Sequence, residues 1–195
     1  MNFSKIRMMF FDFDDTLLVH YREQKLDATA DAHRARLLRY EAENRGGYRV
    51  FDEIGEANTL VQHFLESCDG IPKYCITRVQ DSMTLPYKKQ WLEMHYPGQF
   101  LDVIGTATPE RKTSVMKLLT QAAGLNAAQA LYVDDYYEAL NEAAKEGFTV
   151  MTVQELMLRH LPSLCTSLFR CTANAVRWSR LVSRFSGDVR WRKLS

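Results

Sequence analysis

Three aspartates follow directly on a short apolar run near the start of the chain. The run Met8–Phe11 has the length of a buried strand, and it is followed by Asp12, Asp14 and Asp15. Because side chains alternate across a strand, Asp12 and Asp14 are predicted to lie on one face, about 6 to 7 Å apart. Two like charges at that distance raise each other's pKa unless a cation lies between them. The pattern indicates a site for chemistry at the carboxyl end of a strand, where α/β proteins place their ligands.

Alternating strand and helix patterns follow the aspartates over most of the chain. Later strands are predicted at 74–77, 100–104, 130–133 and 148–153. Helices are predicted at about 26–44, 53–67, 108–124 and 136–146, with a further loop and helix within 81–96. Such alternation favours an α/β fold, in which a parallel sheet of about five strands is covered by helices on both faces.

Lys112 occupies an unusual position on the helix that follows Pro109. The apolar stripe of that helix is predicted to comprise Val115, Met116, Leu119, Ala122 and Ala123. Lys112 lies three and four residues before the first two of these, and therefore on the same inward face. An ammonium is unfavourable near a helix N-terminus, and a buried one requires an anion. The carboxylate cluster or a bound phosphate would supply that anion; the alternative is that the amine reaches the surface along its aliphatic stem.

The segment from Met8 to Leu18 resembles the signature strand of the haloacid dehalogenase-like (HAD) phosphohydrolases, a hydrophobic strand followed by Asp-x-Asp-x-Thr. Further parts of that family's site recur in the same order, so that the resemblance covers roughly residues 6 to 153. It implies a three-layer Rossmann-like domain at 1–158. It also implies a small helical cap insert at about 19–50.

The resemblance implies reaction roles for the signature residues. Asp12 is expected to be the nucleophile that forms an aspartyl-phosphate, and Asp14 to be the general acid that protonates the leaving alcohol and later activates water. Thr16 is expected to contribute to substrate binding. An acid at position 14 favours phosphomonoester chemistry, because dehalogenase-type members carry a non-acidic residue there. Asp15 stands where relatives more usually have glycine.

Thr77 and Lys112 match the next two parts of the family's site. Thr77, at the end of the second strand, corresponds to a Ser/Thr that holds a phosphate oxygen, although a threonine there is otherwise an ordinary turn residue. Arg78 is either a second phosphate contact or a surface charge. Lys112 corresponds to the family's catalytic lysine, which agrees with its inward position.

Asp134 and Asp135 end the fourth predicted strand and match the paired-acid form of the family's metal motif. Mg²⁺ prefers octahedral oxygen ligands, often few carboxylates together with water and phosphate. The resemblance implies that Asp12, the backbone carbonyl of Asp14 and the carboxylate of Asp135 bind the ion. Asp134 is then expected to act as their neighbour, through water or the backbone.

The segment 159–195 is expected to be a basic, amphipathic helical extension. From Leu161 to Phe185 its apolar residues recur every three or four positions, as on one face of a helix. It carries a net charge of +7 within a chain of net charge +1, so the remainder is acidic. We expect such a helix either to pack on the body or on a second copy as a homodimer, or to bind an anionic membrane surface or nucleic acid.

Together these features predict a Mg²⁺-dependent phosphatase. The substrate is a small phosphorylated molecule, a nucleotide, or an exposed phosphate on a macromolecule. A phosphotransferase of the same fold is the first alternative, disfavoured because a small cap shields the aspartyl-phosphate poorly from water. A binding protein that uses the basic helix is the second. Because no apolar run is long enough to span a membrane and the four cysteines have no metal-type spacing, we expect a reduced, cytoplasmic protein.

Overall fold

The computed structural model describes residues 3–21, 38–39, 46–79 and 84–158. The predicted C-terminal helix within 159–195 lies outside these described residues. So does the predicted helix at 26–44, apart from residues 38–39, which are helical. The described residues up to Met157 belong to one compact unit.

Seven strands and five α-helices have bounds within the described residues. The strands are β1 (Met8–Phe11), β2 (Leu18–His20), β3 (Gly55–Ala57), β4 (Lys73–Arg78), β5 (Asp102–Thr106), β6 (Ala130–Asp134) and β7 (Thr149–Thr152). The helices are α1 (Val50–Ile54), α2 (Thr59–Ser67), α3 (Thr84–His95), α4 (Pro109–Ala122) and α5 (Tyr137–Lys145). Strand and helix alternate along the chain as predicted, with strand bounds shifted by up to two residues.

The predicted parallel sheet is confirmed. Among the described residues it has five strands in the order β5-β4-β1-β6-β7, and every neighbouring pair is parallel. β1 lies in the middle, with β4 on one side and β6 on the other. The chain therefore crosses in opposite directions from β1, which opens a crevice at the carboxyl ends of the central strands. Asp12 directly follows β1 at that crevice.

The apolar run of β1 is buried on both faces of the sheet. Met9 and Phe11 belong to one core cluster, which includes the buried residues of α2 and α3. Met8 and Phe10 belong to a second cluster on the side of α4 and α5. Covered on both sides, β1 reads as a continuous apolar run rather than an alternating one, as buried parallel strands do.

The predicted helix at 53–67 is wrong in its first part, because a short strand interrupts it. β3 pairs antiparallel with β2, so residues 18–20 and 55–57 form a small two-stranded flap. The helix α2 begins after Asn58, whose side chain accepts a hydrogen bond from the backbone N–H of Val61 at 3.3 Å. A Cβ on Gly55 would lie 2.4 Å from the carbonyl oxygen of Val19, so only glycine fits this close pairing. Leu60, the second residue of α2, is 37% exposed.

The apolar stripe of α4 is shorter than predicted. Met116 is buried, and Val115 and Leu119 pack against the second core cluster. Ala122 and Ala123 are exposed instead. Alanine offers little apolar surface, so its position in a periodic pattern does not determine which face is buried. No helix among the described residues is long and apolar enough to cross a membrane.

Candidate active site

The loop after β1 turns sharply and directs polar groups toward the crevice. The N–H of Asp12 still bonds to the carbonyl of Val133 on β6, at 2.9 Å. The N–H groups of Leu17 and Leu18 then both donate to the carbonyl of Phe13, at 3.0 and 2.9 Å, which closes one tight turn. Within this turn Asp15 has a φ of 54°. That left-handed conformation is the physical reason why glycine is favoured at this position, and aspartate is among the few other residues that tolerate it.

Lys112 joins two of the predicted carboxylates. Its ammonium nitrogen Nζ lies 2.7 Å from Asp12 Oδ1 and 3.0 Å from Asp134 Oδ2. All three residues are buried. Burial opposes the charge of Lys112, yet the two carboxylates raise its pKa above the usual value. The inward orientation predicted from the sequence is confirmed, and the surface-reaching alternative is excluded.

Asp12, Asp134 and Asp135 form a cluster that is able to hold a metal ion. Each offers one carboxylate oxygen, and these oxygens lie within 4.8 Å of one another. Burial, opposed by the charge of Lys112 and reinforced by those of Asp134 and Asp14, raises the pKa of Asp12 to about 7. Burial, followed by the charges of Asp134 and Asp15, raises the pKa of Asp135 to about 6. These raised pKa values indicate that the nearby positive charge does not balance the carboxylates of the cluster.

Asp134 is held by hydrogen-bond donors on both of its carboxylate oxygens. Oδ2 accepts from Lys112 and from the hydroxyl of Tyr132. Oδ1 accepts from the backbone N–H of Tyr136 at 2.8 Å. Asp135 is more exposed and stands at the open side of the cluster. The assignment of Asp135 as the direct metal ligand and Asp134 as its neighbour stays a prediction.

A second lysine, Lys88 on α3, contacts two more of the predicted site residues. Its Nζ lies 2.7 Å from Asp14 Oδ2 and 2.7 Å from Thr77 Oγ1. Lys88 itself is only 4% exposed, whereas the side chain of Asp14 is 43% exposed. Sequence reasoning missed Lys88, although its position relative to Trp91 and Leu92 repeats the signal that identified Lys112. Through Lys88, the end of β4 is linked to the loop after β1.

The flap places His20 close to the loop that follows β1. His20 Nδ1 lies 3.1 Å from Asp15 Oδ1, and its Nε2 lies 3.8 Å from Asp14 Oδ1. The sequence analysis predicts no strand here, because three-residue strands have too little periodicity to detect. The pairing of β2 with β3 sets the position of His20 at the rim of the site.

Thr16 is buried beneath the loop, and its hydroxyl has no hydrogen-bond partner among the described residues. The backbone carbonyl of Thr16 accepts from the Asn58 side chain at 3.0 Å. The hydroxyl of Tyr96 donates to the carbonyl of Leu17 at 2.6 Å. These two hydrogen bonds fix the backbone of the loop that follows β1. A buried hydroxyl without a hydrogen-bond partner destabilises the folded protein. Such a group is typical of a site that binds a ligand.

Only some of the predicted site residues contact one another directly. Asp12, Lys112, Asp134 and Asp135 meet directly, and Asp14 is joined to Thr77 by Lys88. Arg78 at the end of β4 is exposed, and its carbonyl accepts a 3.3 Å hydrogen bond from the Thr77 hydroxyl.

The donor atoms of the cluster suit a hard divalent cation. All are carboxylate oxygens, as Mg²⁺ prefers, and soft sulfur or imidazole ligands are absent from the group found among the described residues. The two ammonium groups of Lys88 and Lys112 offset only two of the four carboxylate charges of Asp12, Asp14, Asp134 and Asp135. A divalent cation would supply the missing two positive charges. The residues present therefore fit the implied metal.

Comparison with solved structures confirms the fold that the sequence resemblance implied. A HAD-superfamily hydrolase of subfamily IA from Geobacter sulfurreducens matches with a TM-score of 0.50 and 13% identity, over 74% of this chain and 88% of that one. A haloacid dehalogenase-like hydrolase from Streptococcus pneumoniae matches with a TM-score of 0.50 and 15% identity, over 76% and 85%. A predicted phosphoglycolate phosphatase from Haemophilus somnus matches with a TM-score of 0.50 and 16% identity, over 75% and 84%. No protein-family model and no curated protein matches the chain.

Proposed function

We propose that this chain, whose fold is that of the HAD-like hydrolases, is a Mg²⁺-dependent phosphatase that hydrolyses phosphomonoesters. One observation carries the proposal. The Lys112 ammonium lies between Asp12 and Asp134, beside a third carboxylate from Asp135, although these groups come from three separate segments of the chain. Desolvating these charged groups costs free energy on folding. Binding of a metal ion and a phosphate would explain why they are brought together.

Asp12, Asp135 and the backbone carbonyl of Asp14 are the groups proposed to hold the ion. When bound, Mg²⁺ would supply positive charge to the phosphoryl oxygens and to the nucleophilic carboxylate. Asp134 would orient the cluster through its hydrogen bonds to Lys112 and Tyr132. The Lys112 ammonium would add a fixed charge that opposes the negative charge on the substrate.

In the first step a carboxylate oxygen of Asp12 attacks the phosphorus atom of the substrate. The new oxygen–phosphorus bond forms an aspartyl-phosphate as the ester bond breaks, and the electron pair of that bond remains on the leaving oxygen. Asp14, in its protonated form, gives a proton to that oxygen, and the alcohol departs. Thr77 and Thr16 are proposed to hold phosphoryl oxygens during this transfer.

In the second step water attacks the phosphorus atom of the aspartyl-phosphate. Asp14, now a carboxylate, takes a proton from the water as the bond to Asp12 breaks, and inorganic phosphate leaves. The residue thereby regains the proton that it donated, and the enzyme returns to its initial state. The partial exposure of Asp14 suits a group that meets both a leaving alcohol and an incoming water molecule.

The test is hydrolysis of p-nitrophenyl phosphate by wild type, with Mg²⁺ and with EDTA. We expect turnover that requires the metal and that falls by more than about a thousandfold in Asp12→Asn, which removes the nucleophile. Glu142→Gln is the matched control, because it also neutralises one acid but on the exposed face of α5, where Glu142 pairs with Lys145. Chloride release from 2-chloropropionate serves as the dehalogenase assay.

Phosphate release lost in Asp12→Asn and kept in Glu142→Gln supports the proposal. Metal-independent turnover, or equal activity of the two variants, contradicts it. Chloride release in the absence of phosphatase activity would assign the site to carbon–halogen hydrolysis instead.

A further inference from the structure

Lys88 is buried at the carboxyl end of the sheet and contacts two site residues. Its ammonium bonds to Asp14 Oδ2 and to Thr77 Oγ1, each at 2.7 Å. The same nitrogen lies 4.4 Å from the centre of the Phe13 ring, a distance at which a cation is attracted to an aromatic face. Trp91 packs edge-on against that ring, with centroids 5.3 Å apart. The ammonium is therefore held in one position by three neighbours.

Stability alone is a poor explanation for this lysine. A buried ion pair contributes little net stability, because the desolvation of the charges offsets their attraction. An apolar residue at position 88 would continue the buried face that Trp91 and Leu92 form on α3. Both polar partners of Lys88 are, moreover, residues to which the proposed reaction gives a role.

Lys88 determines which way the Thr77 hydroxyl donates its proton. An ammonium is a donor only, so Thr77 Oγ1 accepts from it and must give its own proton to another acceptor. In this structure that acceptor is the carbonyl of Arg78, at a long 3.3 Å. A phosphoryl oxygen at the end of β4 is a charged and therefore stronger acceptor. Lys88 thus keeps Thr77 as a donor toward a phosphate.

Lys88 also selects one oxygen of Asp14. It binds Oδ2, while Oδ1 lies on the side of the flap, 3.8 Å from His20 Nε2. A carboxyl group held at one oxygen presents the other in a fixed direction. Because the side chain of Asp14 is 43% exposed, this contact with a buried ammonium favours one orientation of its carboxyl group.

We propose that Lys88 is a positioning residue, which holds the acid of Asp14 and the phosphate donor of Thr77 in one fixed relation. The inference rests on the phosphatase function proposed above and adds a residue to that site. Lys88 acts through these two side chains and does not itself touch the phosphoryl group. Its effect should consequently depend on how much the leaving group needs a proton.

The test compares two substrates in wild type and in Lys88→Met, which keeps the length and apolar stem of the side chain. An alkyl phosphate requires a proton from Asp14 on its leaving oxygen, whereas p-nitrophenolate leaves without one. We expect kcat/KM, which reports only the steps up to formation of the aspartyl-phosphate, to fall about a hundredfold for the alkyl ester and less than about tenfold for p-nitrophenyl phosphate. Inhibition by inorganic phosphate should weaken about tenfold through the loss of orientation at Thr77.

Lys89→Met is the matched control, since Lys89 is the next residue on α3 and pairs with Asp102 on the exposed surface. It should leave both rates unchanged. Lys88→Gln retains a hydrogen-bond donor without the charge, and it is expected to restore part of the alkyl phosphate activity. Should Lys88→Met fail to fold, as judged by thermal unfolding, the Gln variant provides the same comparison of substrates.

Equal losses on both substrates, or no loss, would overturn the positioning role and leave the phosphatase proposal standing. A wild-type protein that shows no metal-dependent turnover would overturn both. The two failures are therefore distinguishable in one set of assays.

Discussion

Tyr132 donates its phenolic hydrogen bond to Asp134, two residues further along the same strand. Because side chains two apart in a strand share a face, β6 itself supplies both the carboxylate and the group that orients it. Both residues are fully buried. Burial and the neighbouring charge of Asp134 raise the pKa of Tyr132 well above its ordinary value, so the hydroxyl remains a donor throughout the physiological range. Asp134 is thereby supported from within the sheet.

Replacing Tyr132 by Phe is expected to destabilise the fold. The change removes a hydrogen bond to a buried charged acceptor and leaves the ring in place, so the free energy of unfolding should fall by about 1.5–3 kcal/mol. Urea denaturation measures this loss. Tyr74→Phe is the control, because Tyr74 is half-buried on β4, in the same sheet, and its ring stacks against Phe10. Equal effects of the two variants would show that the bond to Asp134 contributes nothing.

Asp134→Asn and Asp135→Asn are expected to differ in their effects. If Asp135 binds the metal directly, its substitution should weaken Mg²⁺ binding by more than about tenfold with little change in the stability of the metal-free protein. Asp134→Asn should chiefly destabilise the metal-free protein, because Lys112 loses a charged partner in a buried position. The melting temperature, recorded with and without Mg²⁺, separates the two. A loss of the Mg²⁺ effect in the Asp134 variant alone would reverse the assignment.

Mg²⁺ binding is expected to tighten as the pH rises. The pKa of Asp12 is raised to about 7 and that of Asp135 to about 6, and a carboxyl must lose its proton before it binds the ion. The affinity should fall about tenfold per pH unit between about pH 7 and 6, fall about a hundredfold per unit below about pH 6, where both carboxyls must lose a proton, and level off above about pH 8. Titration calorimetry in two buffers of different ionisation enthalpy would detect the proton release. An affinity independent of pH between about 5 and 8 would contradict the prediction.

The same pKa values predict how metal-free stability depends on pH. Both folded-state pKa values lie above the ordinary value of 3.8 for an aspartate, so the folded protein binds more protons than the unfolded chain between about pH 4 and 7. Stability from these groups is therefore present at low pH and is lost as the pH rises through the folded values. Addition of Mg²⁺ should offset this loss. Urea denaturation from pH 5 to 8, with and without Mg²⁺, measures the difference.

Thr16→Val is expected to lower activity without lowering stability. The buried hydroxyl has no partner among the described residues, so its removal should leave the free energy of unfolding unchanged or raise it by up to about 1 kcal/mol. The proposed phosphate contact would be lost, and kcat/KM with it. Thr120→Val is the control, a buried threonine whose hydroxyl donates to the sulfur of Met8, at 3.9 Å. A clear destabilisation specific to Thr16→Val would indicate a structural role instead.

The sequence predicts the sheet and most of the cluster because the relevant signals are local. An apolar run that ends in acids reveals β1 and β6, and the inward position of Lys112 follows from its spacing to Val115 and Met116. Lys88 has the same spacing to Trp91 and Leu92, yet polar neighbours on α3 hide the buried face of that helix. The same spacing rule that identified Lys112, applied to Trp91 and Leu92, would also have identified Lys88.

The flap could not be predicted, because its cause is not local. β2 and β3 have three residues each, and they pair across 34 intervening residues. Neither segment has a periodic pattern that a reader could recognise. Gly55 was the available clue, since a glycine next to a helix pattern often allows close approach of a second backbone. Its partner, Val19, is identifiable only in three dimensions.

The antiparallel pairing of β2 with β3 has a consequence for how this protein can vary. The pairing joins the two ends of the segment between His20 and Gly55 beside the loop that follows β1. An insertion or deletion between positions 22 and 45 would change the length of chain between these two paired ends at small entropic cost. The pairing therefore predicts that the carboxylates of the proposed site tolerate changes of length in that part of the chain.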